Sequence, residues 1–411
     1  MASLSAALTV FVAGATAFVT NPKHHQLSVR HVPEQAQVID WKSFNALETV
    51  LPPTQANGST FFFIPPGLDL ESMKSKPFHI FDDEFYDVIG PNPTLTLIAT
   101  SGNDLLFHEA TTWYPPTDEV FFAQNAGAPA DGTGLAKSNV VSKISLKQAA
   151  AVSSQRNATG SVTVQSLDTP GIINSNGGTN FRGQIVFTTE GQGDNKPPTL
   201  ILMNPIEPYN TTVLVNNFFG RQFNSLNDVS VNPRNKELYF TDTLYGYLQD
   251  FRPVPGLRNQ VYRYNYDTGA IAAVADGFNL PNGITFSPDG SHAYVTDTGI
   301  NHGFWGWNFS NPASVYRFDV QEDGTFTNRN LFAYIDTGVA DGIHCDSKGN
   351  VWTGCGDGLQ VFNPSGKLIG KVFLGKTSAN FNFAGDGRMV ICAEDELYYA
   401  TVAASGGGFI S

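Results

Sequence analysis

The chain has 411 residues, of which 15% are charged, and it contains 40 Gly, 24 Pro and 31 Phe. Few charges with many turn residues and aromatics are typical of a β protein with a large core, and not of a helical or disordered chain. The net charge of −13 at pH 7, without any basic block, argues against nucleic acid or an anionic membrane as a partner.

The first twenty residues, MASLSAALTVFVAGATAFVT, are apolar and rich in small side chains. Residues 15–17, Ala-Thr-Ala, fit the small-x-small pattern at which signal peptidase cuts, although a positive n-region is missing. We expect residues 1–17 to be a signal peptide and the protein to be secreted; the alternative is a disordered or packed N-terminal segment. Four N-x-[ST] sequons agree with export, and they begin at Asn57, Asn157, Asn210 and Asn308. No later apolar stretch is long enough to span a membrane.

Residues 18–90 read as an extended arm that packs on the following domain. The arm contains a stretch punctuated by proline, LPPTQANGSTFFFIPPG, and an acidic aromatic run, PFHIFDDEFYDVIG. The next segment, TLTLIATSG, is predicted to be a strand.

One pattern is written twice in the middle of the chain, as SLNDVSVNPRNKELYFTDT at 225–243 and LPNGITFSPDGSHAYVTDT at 280–298. Each copy has an Asn, an apolar run in rough alternation, a turn, a second apolar run and Thr-Asp-Thr. This is the pattern of two strands joined by a short turn.

The same template recurs along residues 91–411. Its copies begin at Glu109, Ser175, Asn227, Asn282, Asp341 and Ala379. Another pair of strands follows most of them, so each repeat of roughly fifty residues holds four strands, which is the signature of a β-propeller blade. We therefore predict an all-β, six-bladed β-propeller in which the strand TLTLIATSG completes the last blade. Five or seven blades stay open, because the second and sixth copies match loosely.

Equivalent positions of the innermost strands converge on one region of a propeller's central channel. Four of the six leading positions carry a carboxylate or a carboxamide: Glu109, Asn227, Asn282 and Asp341. Oxygen ligands without His or Cys indicate Ca²⁺, with Mg²⁺ as the second choice and Zn²⁺ or Mn²⁺ after it. The alternative is a hydrogen-bonded polar plug made of ordinary turn residues.

A second ring stands fifteen residues further on in each copy. It reads Gln124, Glu190, Asp242, Asp297, Gly356 and Glu394. These side chains either orient the metal ligands from behind or, for the two aspartates in the Thr-Asp-Thr motifs, only form a turn.

Motifs of other enzyme classes are either absent or lack the structural context that they require. GKVFLGKT at 370–377 matches a P-loop in letters, but a strand rather than a helix is predicted after it. There is no G-x-S-x-G to seat a serine nucleophile. Cys345, Cys355 and Cys392 form no disulfide framework and no C-x-x-C, and are predicted to be small buried side chains in strands.

These blocks carry a family resemblance. NDVSVNPRNKELYFTDT, LPNGITFSPDG and DGIHCDSKGNVW, with the block around Glu109, resemble the gluconolactonase/regucalcin superfamily of six-bladed calcium-dependent hydrolases. From about Ile39 to Ile369 the chain is similar to fungal secreted lactonases that act on D-pantoyl lactone and aldonate γ-lactones. FHEATTWYPP, FGRQFNSLNDV and TDTLYGYLQDFRPVPGLRNQVYRY carry that closer likeness.

The resemblance implies roles for particular residues. Glu109, Asn282 and Asp341 match metal ligands, Asn227 matches an Asn that binds metal or substrate, and Asp341 matches the general base. Ser225 stands where regucalcin-type members have an Arg that helps bind sugar lactones, which suits a lactone of a different shape.

Four further residues are candidates for substrate contact: His108, Glu190, Tyr245 and His344. The two histidines flank predicted ligands, and a plain hydrogen-bonded role is the alternative for each.

We therefore expect a Ca²⁺-dependent hydrolase of small-molecule γ-lactones. The ion would polarise the lactone carbonyl, and Asp341, or a water that it deprotonates, would supply the nucleophile. Two alternatives remain, a non-catalytic propeller that binds a ligand or glycan, and a calcium-dependent esterase or phosphotriesterase.

Overall fold

A computed structural model of the protein describes residues 30–52, 62–155, 161–385 and 387–407. The predicted signal peptide at 1–17 and the sequons at Asn57 and Asn157 lie outside the described residues.

The described strands form six sheets whose pairing is antiparallel, apart from a parallel pair between β1 (Ala36–Val38) and β2 (Phe78–Ile80). The strand that precedes the first blade is β3 (Thr94–Thr100). Blades one and two contain β4 (Glu109–Tyr114), β5 (Glu119–Ala123), β6 (Val141–Ser145), β7 (Gln165–Ser166), β8 (Ser175–Phe181), β9 (Gln184–Thr189), β10 (Thr199–Met203) and β11 (Thr211–Val215). Blades three and four contain β12 (Leu226–Val231), β13 (Leu238–Asp242), β14 (Gln260–Tyr264), β15 (Ile271–Ala275), β16 (Pro281–Phe286), β17 (His292–Asp297), β18 (Ser314–Val320) and β19 (Phe326–Tyr334). Blades five and six contain β20 (Ile343–Cys345), β21 (Val351–Cys355), β22 (Gly358–Phe362), β23 (Leu368–Phe373), β24 (Asn380–Phe383), β25 (Arg388–Ala393) and β26 (Glu396–Thr401).

The helices of the described residues are short and lie in the arm and the connections. They are α1 (Lys42–Asn45), α2 (Leu70–Ser75), α3 (Glu84–Ile89), α4 (Leu146–Ser153) and α5 (Tyr245–Leu248), with 3₁₀ turns at Pro129–Asp131 and Gly303–Trp305. Across the described ranges, none of these helices has the length and apolar character needed to cross a membrane.

The first strands of the six sheets form a closed ring. β4 contacts β8, β8 contacts β12, β12 contacts β16, β16 contacts β20, β20 contacts β24, and β24 contacts β4. This arrangement confirms the predicted six-bladed β-propeller, because each sheet presents its first strand to the central axis.

The ring is closed by a strand from before the first blade. β3 pairs with β26, the last strand in the chain, so that blade six is built from both ends of the propeller sequence. This confirms the closing role predicted for TLTLIATSG. The arm joins blade five instead, where β2 pairs with β23 and β1 pairs with β2.

A bulge marks the start of the inner strand in several blades. In blade three Leu226 pairs with Asp242 and Val229 with Phe240, so two residues of β12 oppose one residue of β13. Blade four repeats this at the start of β16. A bulge of this kind redirects the side chains at the extra positions, and Asn227 and Asn282 both stand there.

Adjacent blades touch closely around the channel, and the core lies between their sheets. A Cβ at Gly283 would lie 2.3 Å from the carbonyl oxygen of Asp341, so glycine is required for this approach of blades four and five. Away from the axis, clusters such as Phe223, Phe240 and Tyr262 fill the space between neighbouring sheets. The three cysteines are free and buried, which confirms their predicted packing role.

Candidate active site

One cavity at the end of the channel where the inner strands begin contains the four predicted ligands. Glu109, Asn227, Asn282 and Asp341 all line it, and its volume is about 250 Å³. Each belongs to a different blade and stands within two residues of the start of that blade's inner strand. Because the hairpin repeats with the same spacing in each blade, residues far apart in sequence meet in this cavity. The first and last of the four, Glu109 and Asp341, are 232 positions apart.

The two carboxyl groups among the predicted ligands, Glu109 and Asp341, lie close to other acids. Burial, the charge of Asp341 and the charge of Asp228 all raise the pKa of Glu109 well above its ordinary value. Burial is also the main cause that raises the pKa of Asp341, although the charge of His108 opposes it. A carboxylate pair that is costly to ionise in the protein alone is stabilised as a pair of anions by a bound cation.

The carboxamides supply an acceptor that the protein does not use. Asn227 is 2% exposed, and its Oδ1 has no hydrogen-bond partner within the described residues. Buried acceptors without partners are rare in folded proteins, so this oxygen indicates a ligand position. The side chain of Asn282 contacts Asp341 through a hydrogen bond. Glu109 accepts a bond of 2.6 Å from Asn380 Nδ2.

These oxygen ligands suit a hard divalent cation. The described ranges contain no cluster of three or more His, Cys, Asp or Glu side chains that could hold a metal, so a cation here depends on the carboxamides of Asn227 and Asn282. Two carboxylates with two carboxamide oxygens are ligands that suit Ca²⁺ and, after it, Mg²⁺. The role of the four residues as ligands stays a prediction.

Asp228 is a further buried acid that the sequence template overlooks. It is 8% exposed, and its carboxylate accepts bonds from the N–H groups of Val229 at 2.7 Å and Ile284 at 2.9 Å. Burial raises its pKa to about 7, and the charge of Asp341 adds to this. The signal was present in the sequence, since the copy at 227 reads Asn-Asp where the copy at 282 reads Asn-Gly.

His108 lines the cavity beside Glu109 and is oriented by Glu394. The His108 Nδ1 lies 3.1 Å from both carboxylate oxygens of Glu394, and its Nε2 lies 3.2 Å from Asn125 Nδ2. Burial alone would lower the pKa of His108, but the neighbouring carboxylate of Glu394 raises it above the ordinary value. Glu394 belongs to the predicted second ring; it orients His108, and its charge also raises the pKa of the predicted ligand Asp341.

Glu190 and Tyr245 also line the cavity. Glu190 accepts bonds from Ser225 Oγ at 2.6 Å and Asn176 Nδ2 at 3.2 Å, and burial raises its pKa to about 7. Tyr245 begins α5, and its hydroxyl lies 2.6 Å from Thr298 Oγ1. Both candidates for substrate contact therefore have fixed side chains at the cavity wall.

The two aspartates of the Thr-Asp-Thr motifs hold turns. Asp242 accepts bonds from the N–H groups of residues 224 and 225, at 2.9 Å each, and Asp297 does the same for residues 279 and 280, at 3.0 and 2.9 Å. These contacts agree with the interpretation that the two aspartates stabilise turns. Because those turns lead directly into β12 and β16, the aspartates also fix the strands that carry Asn227 and Asn282.

The strand register shifts the template by one residue in the loosely matching second blade. Ser175 pairs with Thr189 as Leu226 pairs with Asp242, so Asn176 and not Ser175 occupies the position of Asn227. In the sixth blade it is likewise Asn380, one residue after Ala379, that contacts Glu109.

In blade one the predicted ligand stands one residue earlier along the inner strand than Asn227 does in blade three. Glu109 pairs with Ala123 as Leu226 pairs with Asp242, so Glu109 precedes the bulge position by one residue. Ala110, which follows it, has a left-handed backbone with φ 55°.

The structure does not bring His344 to this cavity. His344 lines a separate cavity with Phe286 and Asn382, and its ring packs 5.1 Å from that of Phe381. It follows Asp341 by three residues along the inner strand, and a strand advances by roughly 3.3 Å per residue. The expectation that His344 contacts the same substrate as His108 is therefore corrected by its placement. Burial lowers its pKa to about 4.

Trp307 lies at the rim of the site and has no counterpart in the repeat. It lines the cavity, is 41% exposed, and stacks on Phe309 with ring centroids 5.9 Å apart. Its loop packs against α5, where Trp305 meets Tyr247 edge to face at 5.0 Å. The loop is an insertion between β17 and β18, so the hairpin pattern carried no signal for it.

Comparisons with known proteins agree with this fold. A family model described as "SMP-30/Gluconolactonase/LRE-like region" matches residues 149–401. The chain is 27% identical over 335 residues to "Lactonohydrolase oryL" of Aspergillus oryzae, and this alignment covers 76% of this chain and 69% of that protein. It is 29% identical over 171 residues to a gluconolactonase of Zymomonas mobilis, which covers 39% of this chain and 45% of that protein. A solved gluconolactonase from Xanthomonas campestris superposes with a TM-score of 0.60 at 22% identity, covering 79% of this chain and 94% of that chain.

Proposed function

The chain belongs to the SMP-30/gluconolactonase/LRE-like family, and we propose that the protein is a Ca²⁺-dependent lactone hydrolase that opens γ-lactones such as D-pantoyl lactone or aldono-1,4-lactones. Lactone hydrolysis of the gluconolactonase type is supported by the relatives, which are named lactonohydrolase and gluconolactonase. The observation that carries the finer proposal is the convergence of two carboxyls and two carboxamides on one cavity, with the buried Asn227 Oδ1 unpaired.

The residues that would hold the cation are Glu109, Asn227, Asn282 and Asp341. A bound divalent cation would polarise the lactone carbonyl and stabilise the negative charge that develops on its oxygen.

The chain itself supplies the proton transfers. Asp341, oriented by its hydrogen bond with Asn282, accepts a proton from the water that attacks the carbonyl carbon. The ring C–O bond then breaks, and the departing alkoxide takes a proton. His108 is the candidate donor, because it lines the cavity and Glu394 fixes its ring through Nδ1. Glu190 and Tyr245 form the wall against which the rest of the lactone binds.

Chelation with a substrate panel tests this proposal. D-pantoyl lactone, an aldono-1,4-lactone, an aryl ester and a phosphotriester are assayed before and after excess chelator, and again after Ca²⁺ or Mg²⁺ is added. We expect lactone opening that is lost in chelator and restored best by Ca²⁺. Full lactonase activity in chelator would contradict the role of the metal. Faster turnover of the aryl ester or phosphotriester would favour the esterase alternative, and turnover of no substrate would favour a ligand-binding propeller.

We also propose that the protein is secreted, from the signal-peptide pattern at 1–17 and the sequons. Of the described sequons, Asn210 and Asn308 are both exposed. Mass spectrometry of the protein from the culture medium of a eukaryotic host tests this. We expect cleavage after Ala17 and added glycan mass at one or both of these positions. An intact N-terminus on protein retained in the cells would contradict it.

A further inference from the structure

Asn176 presents an acceptor to the cavity that the described protein leaves unused. It lines the cavity beside Asn227 and is 7% exposed. Its Oδ1 has no hydrogen-bond partner within the described residues. Leaving a buried acceptor without a donor costs free energy, so an oxygen of this kind indicates that a ligand supplies the donor.

The orientation of this carboxamide is fixed by a chain of hydrogen bonds. Asn176 Nδ2 donates to Glu190 Oε1 at 3.2 Å, and Glu190 Oε2 accepts from Ser225 Oγ at 2.6 Å. Ser225 Oγ in turn accepts from the N–H of Gly246 at 2.9 Å. Since Nδ2 is held by Glu190, the carboxamide oxygen is the end that remains for a ligand.

We propose that Asn176, positioned by Glu190 and Ser225, accepts a hydrogen bond from a hydroxyl group of the substrate, and that the enzyme therefore selects hydroxylated lactones. This rests on the proposed lactone hydrolysis. Both oxygens of an unsubstituted lactone ring are acceptors, so such a ring cannot satisfy Asn176. A hydroxyl substituent brings the missing donor, and a site built to bind a substrate hydroxyl discriminates against the analogue that lacks it.

A fifth metal ligand is the rival role for Asn176, because the register places it in line with Asn227. Its contacts favour the substrate instead. The described hydrogen bond of Asn176 goes to Glu190, whereas the acids that influence Glu109 are Asp341 and Asp228. Asn176 is thus held by the acid at the cavity wall, and its described hydrogen bond does not go to the carboxyl pair that would hold the cation.

The test compares α-hydroxy-γ-butyrolactone with γ-butyrolactone, which differ by one hydroxyl. For the unmodified enzyme we expect a higher kcat/KM on the hydroxylated lactone. Asn176→Leu removes the acceptor at similar volume and should lower kcat/KM on the hydroxylated lactone by about 10- to 100-fold, with less than about 3-fold change on γ-butyrolactone. Asn210→Leu, an exposed position in the same blade, is the matched control and should leave both values unchanged.

Two binding measurements separate the rival outcomes. Calorimetric titration with Ca²⁺ should give the same affinity for Asn176→Leu and the unmodified protein, which also shows that the variant is folded; a clear loss of Ca²⁺ affinity would overturn the proposal in favour of a metal ligand. An equal loss of kcat/KM on both lactones would also overturn it. If the unmodified enzyme opens neither these two lactones nor D-pantoyl lactone and an aldono-1,4-lactone, the proposed function fails. Calorimetry with the two lactones then tests the role of Asn176 separately. That role requires the unmodified protein to bind the hydroxylated lactone more tightly and Asn176→Leu to lose this difference.

Discussion

The two ends of the central channel use the same residue type in opposite ways. At the end that holds the candidate site, the Oδ1 atoms of Asn176 and Asn227 are buried and have no partner in the described protein. Toward the other end, Asn180 and Asn382 donate their Nδ2 groups to backbone carbonyls of β4, at 2.7 Å each, and so connect neighbouring blades. An Asn on an inner strand therefore connects neighbouring blades, presents an oxygen to the cavity, or, as Asn380 does, donates to Glu109 of the next blade while its own Oδ1 stays unpaired in the described protein. Lining of the cavity together with an unpaired Oδ1 sets Asn176 and Asn227 apart.

The ends also differ in what covers them. Residues 405–407 of the chain line the cavity that contains His344, and Gly407 N donates to Cys345 O at 2.8 Å. At the site end the rim is formed by the loop of Trp307, which leaves that ring 41% exposed. One end is thus packed with the protein's own segment, while the other presents an aromatic rim around unpaired oxygens. The comparison predicts that substitutions at the site end change chemistry and metal binding, and that those at the other end change stability.

The largest expected contrast is between Asp341 and His344, which share one inner-strand segment. Asp341→Asn removes the proposed base and should lower kcat on a lactone by about 10²- to 10⁴-fold. His344→Gln should change kcat by less than about 3-fold, because the ring packs on Phe381 away from the site. Steady-state kinetics on both variants check this. Losses of similar size in the two variants would show that the ends of the channel are not functionally separate.

The next contrast concerns metal binding. Saturating Ca²⁺ should raise the thermal midpoint of the unmodified protein, since a ligand at 100 times its Kd stabilises the folded state by about 2.7 kcal/mol. Glu109→Gln removes one of two carboxylates and should abolish most of this rise. Glu71→Gln, an exposed change on α2, should keep it. Thermal unfolding with and without Ca²⁺ measures the effect, and an undiminished rise in Glu109→Gln would remove Glu109 from the ligand set.

A smaller contrast compares carboxamides at the two ends. Asn382→Leu leaves the carbonyl of the buried Thr111 without its donor and should lower the free energy of unfolding by about 1–3 kcal/mol, with kcat unchanged. Asn227→Leu removes an oxygen that has no partner, so without Ca²⁺ it should cost less stability, while the response to Ca²⁺ is lost. Urea unfolding in the presence and absence of Ca²⁺ measures both. A larger loss of Ca²⁺-free stability for Asn227→Leu would contradict the distinction.

Much of this architecture could be predicted from the sequence because the hairpin repeats in phase. A template whose six copies include those at Glu109, Asn227, Asn282 and Asp341 also predicted six blades, and the fold and family are confirmed. Each copy of the repeat starts an inner strand at the same end of the channel. The position of a residue within its copy therefore predicts how deep in the channel that residue lies.

The rest depended on pairing that a single sequence does not display. In the weakly matching second blade a shift of one residue exchanged Ser175 for Asn176, and such a shift is set by the register at a bulge. The depth of His344 in the channel follows from the same strand geometry. Trp307 lies in an insertion outside the repeat, where no periodicity applies.

The smallest expected effect lies at the rim. Trp307→Ala removes aromatic surface from the cavity wall without touching a predicted ligand, so it should raise KM by about 2- to 5-fold and leave kcat within about 2-fold, the pattern expected when binding to substrate and transition state is lost equally. Phe304→Ala is the matched control, because Phe304 is 48% exposed on the same loop and does not line the cavity. Kinetics on D-pantoyl lactone and an aldono-1,4-lactone measure the change. A fall in kcat for Trp307→Ala would mean that the rim takes part in the transition state, and equal effects in both variants would mean that the loop acts only as a unit.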